Sequence, residues 1–222
     1  MSTYNVYGSS NARIGGHKPI WLGTVRPIPV GAALNADYCK AGTQIPAGTA
    51  MELKNGIATP FRGFVVTAYT TSSTNSIITV KPIFKGDAPA LTDFLMKVGA
   101  TFAATGKAWH PDAIAANSDD ASLFDITVAT AGIDVVAEGD VLAYSSATAE
   151  GSSKSLAVQP AYYLYNDITF DPAAFGESAD LKASAALVNF HGEGFLINRT
   201  PAAAIAAQMK AACPNVYQEL RY

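Results

Sequence analysis

The chain has 222 residues; 49% are hydrophobic, only 15% are charged, and the net charge is −3. Ordinary globular domains carry roughly 25% charged residues; alanine takes 40 positions here, yet the larger apolar residues still suffice for a core, which excludes global disorder. No apolar run approaches the roughly 18 residues that span a bilayer as a helix, and no Lys/Arg cluster occurs, which argues against a nucleic-acid or anionic-membrane partner.

Residues 1–30 read as an extended arm. Pro19, Pro27 and Pro29 forbid a helix there, and Gly8, Gly15, Gly16 and Gly23 are too frequent for a central strand. The arm carries Ile14, Ile20, Trp21, Leu22, Val25 and Ile28. Such side chains need cover, either on the body of this chain or on a partner. The opening Met1-Ser-Thr-Tyr-Asn-Val-Tyr-Gly8 has neither a basic n-region nor an apolar h-region, so no secretory signal is expected.

From residue 31 the pattern is mostly β. Gly42–Gly48 reads as turn, short strand, turn. Ala50–Leu53 is a brief strand ending at Asn55-Gly56, the strongest two-residue hairpin signal. Gly63–Tyr69 and Ser76–Phe84 are β-branched and aromatic, with a polar loop between them. Leu91, Phe94, Leu95 and Val98 then fall at helical spacing, opened by Asp87 and Pro89 and closed by Gly99, which predicts a short helix. Residues 100–120 read as a linker.

The second half repeats the grammar. Ala131–Ala137 followed by Gly139–Leu142 aligns with Ala41–Ala47 followed by Gly48–Met51. Pro160 and Tyr162-Tyr-Leu-Tyr165 align with Pro60 and Gly63-Phe-Val-Val66. A helix over Pro201–Ala212, with Thr200 as cap and Pro201 in the first position, matches the helix expected near residue 95. The fold class expected is mainly β with two short α-helices, arranged as two similar strand–turn–strand–loop–strand–helix halves, sandwich- or barrel-like. The domains expected are the arm 1–30, a first lobe 31–105 and a related second lobe 106–222.

Candidates for chemistry are few. Phe190-His-Gly-Glu-Gly194 places His191 and Glu193 on one face if it is a strand, but no third metal ligand is marked, and a tight turn explains the segment. His17 lies in the arm and His110 precedes a proline. Cys39 and Cys213 stand outside any C-x-x-C pair and read as buried small hydrophobes. No nucleophile elbow, Walker A loop or dinucleotide fingerprint occurs. Tyr162, Tyr163 and Tyr165 fit a sugar-stacking platform or, equally, an aromatic strand buried on both faces. The residues point to no catalytic group, no metal and no cofactor.

Ala41-Gly-Thr-Gln-Ile-Pro-Ala-Gly-Thr-Ala50 resembles the opening of the head-fibre and capsid-decoration proteins of tailed phages, those of Bacteroides-infecting and crAss-like phages above all. Pro60 with Gly63–Val66, Asn166-Asp-Ile168, the glycine turn Val188–Gly192 and the helix Pro201–Ala212 extend the likeness over most of residues 31–222. The first half lacks an Asn-Asp-Ile step, and the arm has no counterpart. The resemblance implies a non-enzymatic virion protein, made in the bacterial cytoplasm, that binds the outer capsid surface as a decoration or head-fibre subunit. Its implied partners are the major capsid protein and copies of itself, as a homo-oligomer. A receptor- or carbohydrate-binding module using the three tyrosines is the alternative.

Overall fold

A computed structural model describes residues 20–22, 32–35, 43–84, 86–100, 102, 106–151, 155–170, 184–185, 187–188, 194–197, 201–214 and 216–219. The fold is mainly β, as the alternating and β-branched segments predict. The chain divides into two units. Residues 62–159 form one, inserted into the other, which joins residues 1–61 to residues 160–222.

The inserted unit is a six-stranded antiparallel sheet. Its strands, in chain order, are β6 (Gly63–Thr71), β7 (Asn75–Pro82), β8 (Leu95–Lys97), β9 (Ala113–Ala116), β10 (Phe124–Ala129) and β11 (Val141–Tyr144). Their spatial order is β8-β11-β6-β7-β10-β9. Period-two alternation sets the buried face: Ser76, Ile78 and Val80 point inward on β7, while Ile77, Thr79 and Lys81 do not. Phe64 and Val66 match them on β6 until a bulge between Val66 and Ala68 shifts the register. The bulge leaves Thr67 unpaired in the ladder, and its hydroxyl donates to the Thr79 carbonyl at 3.1 Å. It also flips the phase, so Tyr69 is the next residue to pack on the core. Leu95, Trp109, Ile126, Val128, Val136, Leu142 and Tyr144 complete that core.

Among the described residues, the terminal unit holds three sheets. The largest has the order β14-β2-β5-β4-β12-β15, with β2 (Ala32–Leu34), β4 (Ala50–Lys54), β5 (Ile57–Pro60), β12 (Tyr162–Leu164), β14 (Ser184–Ala185) and β15 (Leu187–Val188). β3 (Thr43–Ile45) pairs with β13 (Ile168–Phe170). β1 (Trp21–Leu22) pairs with β16 (Gly194–Ile197), which lies parallel to β17 (Val216–Glu219). Asn55 and Gly56 turn β4 into β5 with φ of 54° and 76°, the left-handed pair that the tight hairpin requires.

A parallel pair cannot be joined by a hairpin and needs a crossover. The segment between β16 and β17 supplies it as a 3-10 turn over Pro201–Ile205 running into α1 (Ala206–Ala212). Ala202, Ile205 and Met209 form its buried stripe. This is the helix expected at 201–212; its expected cap, Thr200, lies outside the described residues.

Two expectations need correction. Residues 90–98 form no helix: they make a turn and then β8. Asp87 spends its carboxylate on Arg62 and on the Ala88 N–H instead of capping a helix. Asp93 turns back to accept from the Ala90 N–H at 2.8 Å. Leu95 exchanges both backbone bonds with Trp109, at 2.7 and 3.0 Å. Pairing across the sheet thus overrides a helical spacing that is only four residues strong. The lobes 31–105 and 106–222 are also not the structural units. Strands from both sides of residue 105 share the inserted sheet, where β11 lies between β8 and β6.

One glycine is dictated by its neighbour. Gly106 has φ of +86°, and a Cβ there would stand 1.7 Å from the Asp134 Oδ2. That oxygen accepts the Lys107 N–H at 2.6 Å. Gly106→Ala is expected to cost about 1–3 kcal/mol, from backbone strain and the displaced carboxylate, measured by urea unfolding. Adding Asp134→Ala to it should recover only the part that comes from the clash.

Candidate functional site

The arm and the tyrosines meet in the terminal unit. Trp21 on β1 faces Leu196 on β16 in register, and its side chain is buried, 1% exposed. Its Nε1–H donates to the Tyr165 carbonyl at 2.9 Å. The indole sits edge-on to the Tyr163 ring, 6.0 Å between centroids and 81° between planes. The Tyr165 ring lies 6.2 Å away, tilted by 32°. An indole has one donor and a large apolar body, and both are satisfied here by this chain.

Strand geometry explains the tyrosines. Tyr163 and Tyr165 share a face and both meet Trp21, while Tyr162 packs with Leu164 on the core formed by Ala32, Leu34, Ile45, Met51 and Ala58. Tyr163 is 0% exposed. The aromatic strand is therefore buried on both faces, and Tyr163 offers no surface for a sugar. Tyr162 and Tyr165 are half-buried.

The arm residues fare differently. Of the two covers left open for the arm, the chain's own body is the one that Trp21 takes. Ile20 is half-buried. Leu22 is in β1, paired with Phe195. Ile14, Val25 and Ile28 lie outside the described residues, as do His17, Cys39, His191 and Glu193.

The inserted unit holds a charged cluster that the sequence did not announce. Arg62 Nε donates to both oxygens of Asp87 at 3.0 Å, and its Nη2 pairs with the same carboxylate. Nη2 also donates to the Tyr144 hydroxyl at 3.0 Å, and the guanidinium stacks 4.7 Å from the centre of that ring. The Asp87 side chain is 2% exposed and that of Arg62 20%. Asp87 reads as a helix opener from sequence, and nothing local ties it to an arginine 25 positions earlier. Within the cluster the guanidinium fork, the carboxylate and the ring face one another.

Other polar groups serve turns. Asp125 accepts from Thr79 and Asn117 at 2.7–3.1 Å. The Ser122 hydroxyl and backbone N–H hold the Asp120 carboxyl below its ordinary range. His110 reaches Glu150 at 3.3 Å and the edge of Phe94. Among the described residues, no three His, Cys, Asp or Glu side chains gather as metal ligands.

No protein-family model matches the chain, and neither a curated protein nor a solved structure is significantly similar to it.

Cys213 is buried at the end of α1, and desolvation pushes its thiol up to about 11. The thiolate is the reactive form, so this thiol should be inert near neutral pH. In a Cys39→Ser chain, a colorimetric thiol reagent should find no fast-reacting group natively and one in denaturant. Ionisation also fixes a pH trend. Above about pH 9 the unfolded thiol loses its proton while the folded one keeps it, so this group lowers stability as pH rises toward 11.

Proposed function

We propose that the chain is a structural virion protein, without catalytic activity, that binds the outer surface of a phage capsid as a decoration or head-fibre subunit and associates with copies of itself. The observation that carries this reading is the Ile45-Pro-Ala-Gly-Thr-Ala50 segment, whose resemblance is sequence-based. In the fold it forms a compact turn that launches β4, with the Thr49 N–H bonded to the Pro46 carbonyl at 3.2 Å and Gly48 at φ of 80°. A mainly β body with few charges and self-satisfied polar clusters agrees with a protein that works by being docked. The carbohydrate-binding alternative loses Tyr163, its central ring, to the core.

The test is composition of particles. Virions purified through a density gradient from a culture encoding the chain should contain it in many copies, and immunogold should label the head. The chain remaining in the soluble lysate while capsids sediment without it would remove the proposal.

A further inference from the structure

The tip of the β4–β5 hairpin carries a reactive pair of residues. An asparagine side-chain amide is an electrophile within reach of the backbone nitrogen of the next residue. Attack by that nitrogen closes a succinimide ring. A side chain on the next residue hinders it, and so do burial and hydrogen bonds that engage the amide or the attacking N–H.

At Asn55 none of these hindrances is present. Of the chain's asparagines, only Asn55 is followed by glycine. Asn55 and Gly56 are both exposed. A Cβ on Gly56 would meet nothing within 4 Å, so the space beside the turn is open. Among the described residues, neither the Asn55 amide nor the Gly56 N–H makes a hydrogen bond. The bonds of the turn run elsewhere: the Gly56 carbonyl accepts the Ala33 N–H at 3.0 Å, and Lys54 faces Ile57 across the hairpin.

The other described asparagines lack this combination. Asn35 donates its amide to Thr59 at 3.1 Å. Asn117 is engaged at both ends, donating to Asp125 and accepting from the Asp119 and Asp120 N–H groups. Asn75 precedes Ser76, which is buried in β7. Asn166 has a buried Oδ1 and precedes Asp167, whose carboxylate accepts the Ala47 N–H at 2.7 Å.

We infer that Asn55 is a site of spontaneous modification in the folded chain, deamidating through a succinimide with water as the co-reactant. The Gly56 nitrogen bonds to the Asn55 Cγ, the amide C–N bond breaks, and the amide nitrogen leaves as ammonia with the proton that Gly56 gave up. Water then adds to one ring carbonyl and breaks its bond to the Gly56 nitrogen, which takes a proton back. Nothing is oxidised or reduced. Opening at Cγ leaves an aspartate at position 55. Opening at the main-chain carbonyl leaves an isoaspartate, which routes the chain through the β-carbon. Either product adds one negative charge beside Lys54, in a chain whose net charge is −3.

The two products differ in what they do to the fold. An aspartate before glycine keeps the tight turn. An isoaspartate lengthens the main chain between Lys54 and Ile57, whose pairing sets the register that brings Met51 and Ala58 into the core. The inference is independent of any capsid role.

Purified full-length chain is held folded at mildly alkaline pH, where the attacking nitrogen loses its proton more readily, and is sampled over weeks by ion exchange and peptide mapping. The expected result is a new acidic form shifted by a single charge, with the change mapped to Asn55 as both aspartyl and isoaspartyl peptides. Hydroxylamine, which attacks the imide, should cut the folded chain between residues 55 and 56. Asn55→Gly keeps a residue at ease in the left-handed turn and removes the amide. That variant should keep its charge under the same incubation and resist hydroxylamine. A folded chain that stays unmodified while a urea-unfolded sample converts at Asn55 overturns the inference, as does an acidic form that maps to another asparagine.

Discussion

Replacing Trp21 by alanine should cost about 3–5 kcal/mol of stability, the range for deleting a buried large aromatic. The indole is 1% exposed, its N–H is bonded to Tyr165, and two tyrosine rings lean on it. Removing it opens a cavity on one face of β12, leaves the Tyr165 carbonyl without its donor, and loosens β1 from β16. Urea unfolding followed by far-UV circular dichroism measures the loss. Trp21→Phe should recover much of it, since the ring keeps its packing and gives up only the N–H bond. If Trp21→Ala instead stayed within about 0.5 kcal/mol, as exposed substitutions do, the indole would belong to a partner and not to the core.

The second large effect is expected at Asp87. Removing one member of a buried pair strands the other, at about 3–5 kcal/mol. The partial exposure of Arg62 places Asp87→Ala toward the lower end of that range. The pair itself is a different matter. Replacing both members, Arg62→Met with Asp87→Leu, removes charge and partner together and should cost far less than the two single losses combined. Tyr144→Phe removes one hydroxyl bond from Nη2 and should cost about 1 kcal/mol. A double-mutant cycle on urea midpoints separates these cases. Additive losses at Arg62 and Asp87 would show that the two groups do not act as a unit.

What the sequence made legible was what neighbouring residues decide. Asn55-Gly56 encodes its own hairpin, because only left-handed backbone fits that turn. Ser76–Phe84 announces a strand by its β-branched and aromatic residues, and the strand runs over Asn75–Pro82; Pro201–Ala212 announces a helix by its stripe. Residues 90–98 mislead for a matching reason. Their apolar spacing fits a helix, yet Leu95 is claimed by Trp109 and by β11, both distant in sequence. The domain boundary misleads in the same way, since strand pairing is set between segments far apart and composition does not change where the chain passes from one unit to the other. The tyrosines were half legible. Alternation correctly divides Tyr163 and Tyr165 from Tyr162, but whether a face meets solvent or Trp21 is settled only by where the arm lies. Trp21, which composition alone left uncovered, finds its cover within the chain.

The insertion of residues 62–159 between the halves of the terminal unit also sets a timetable for synthesis. A ribosome delivers β2 to β5 first, then a whole unit that can fold as it emerges, and only afterwards β12 to β17, without which Leu34, Ile45 and Met51 have no complete core. For the time it takes to translate roughly a hundred residues, about 5–20 s at ordinary elongation rates, the leading segment waits. On a polysome, many such segments wait side by side.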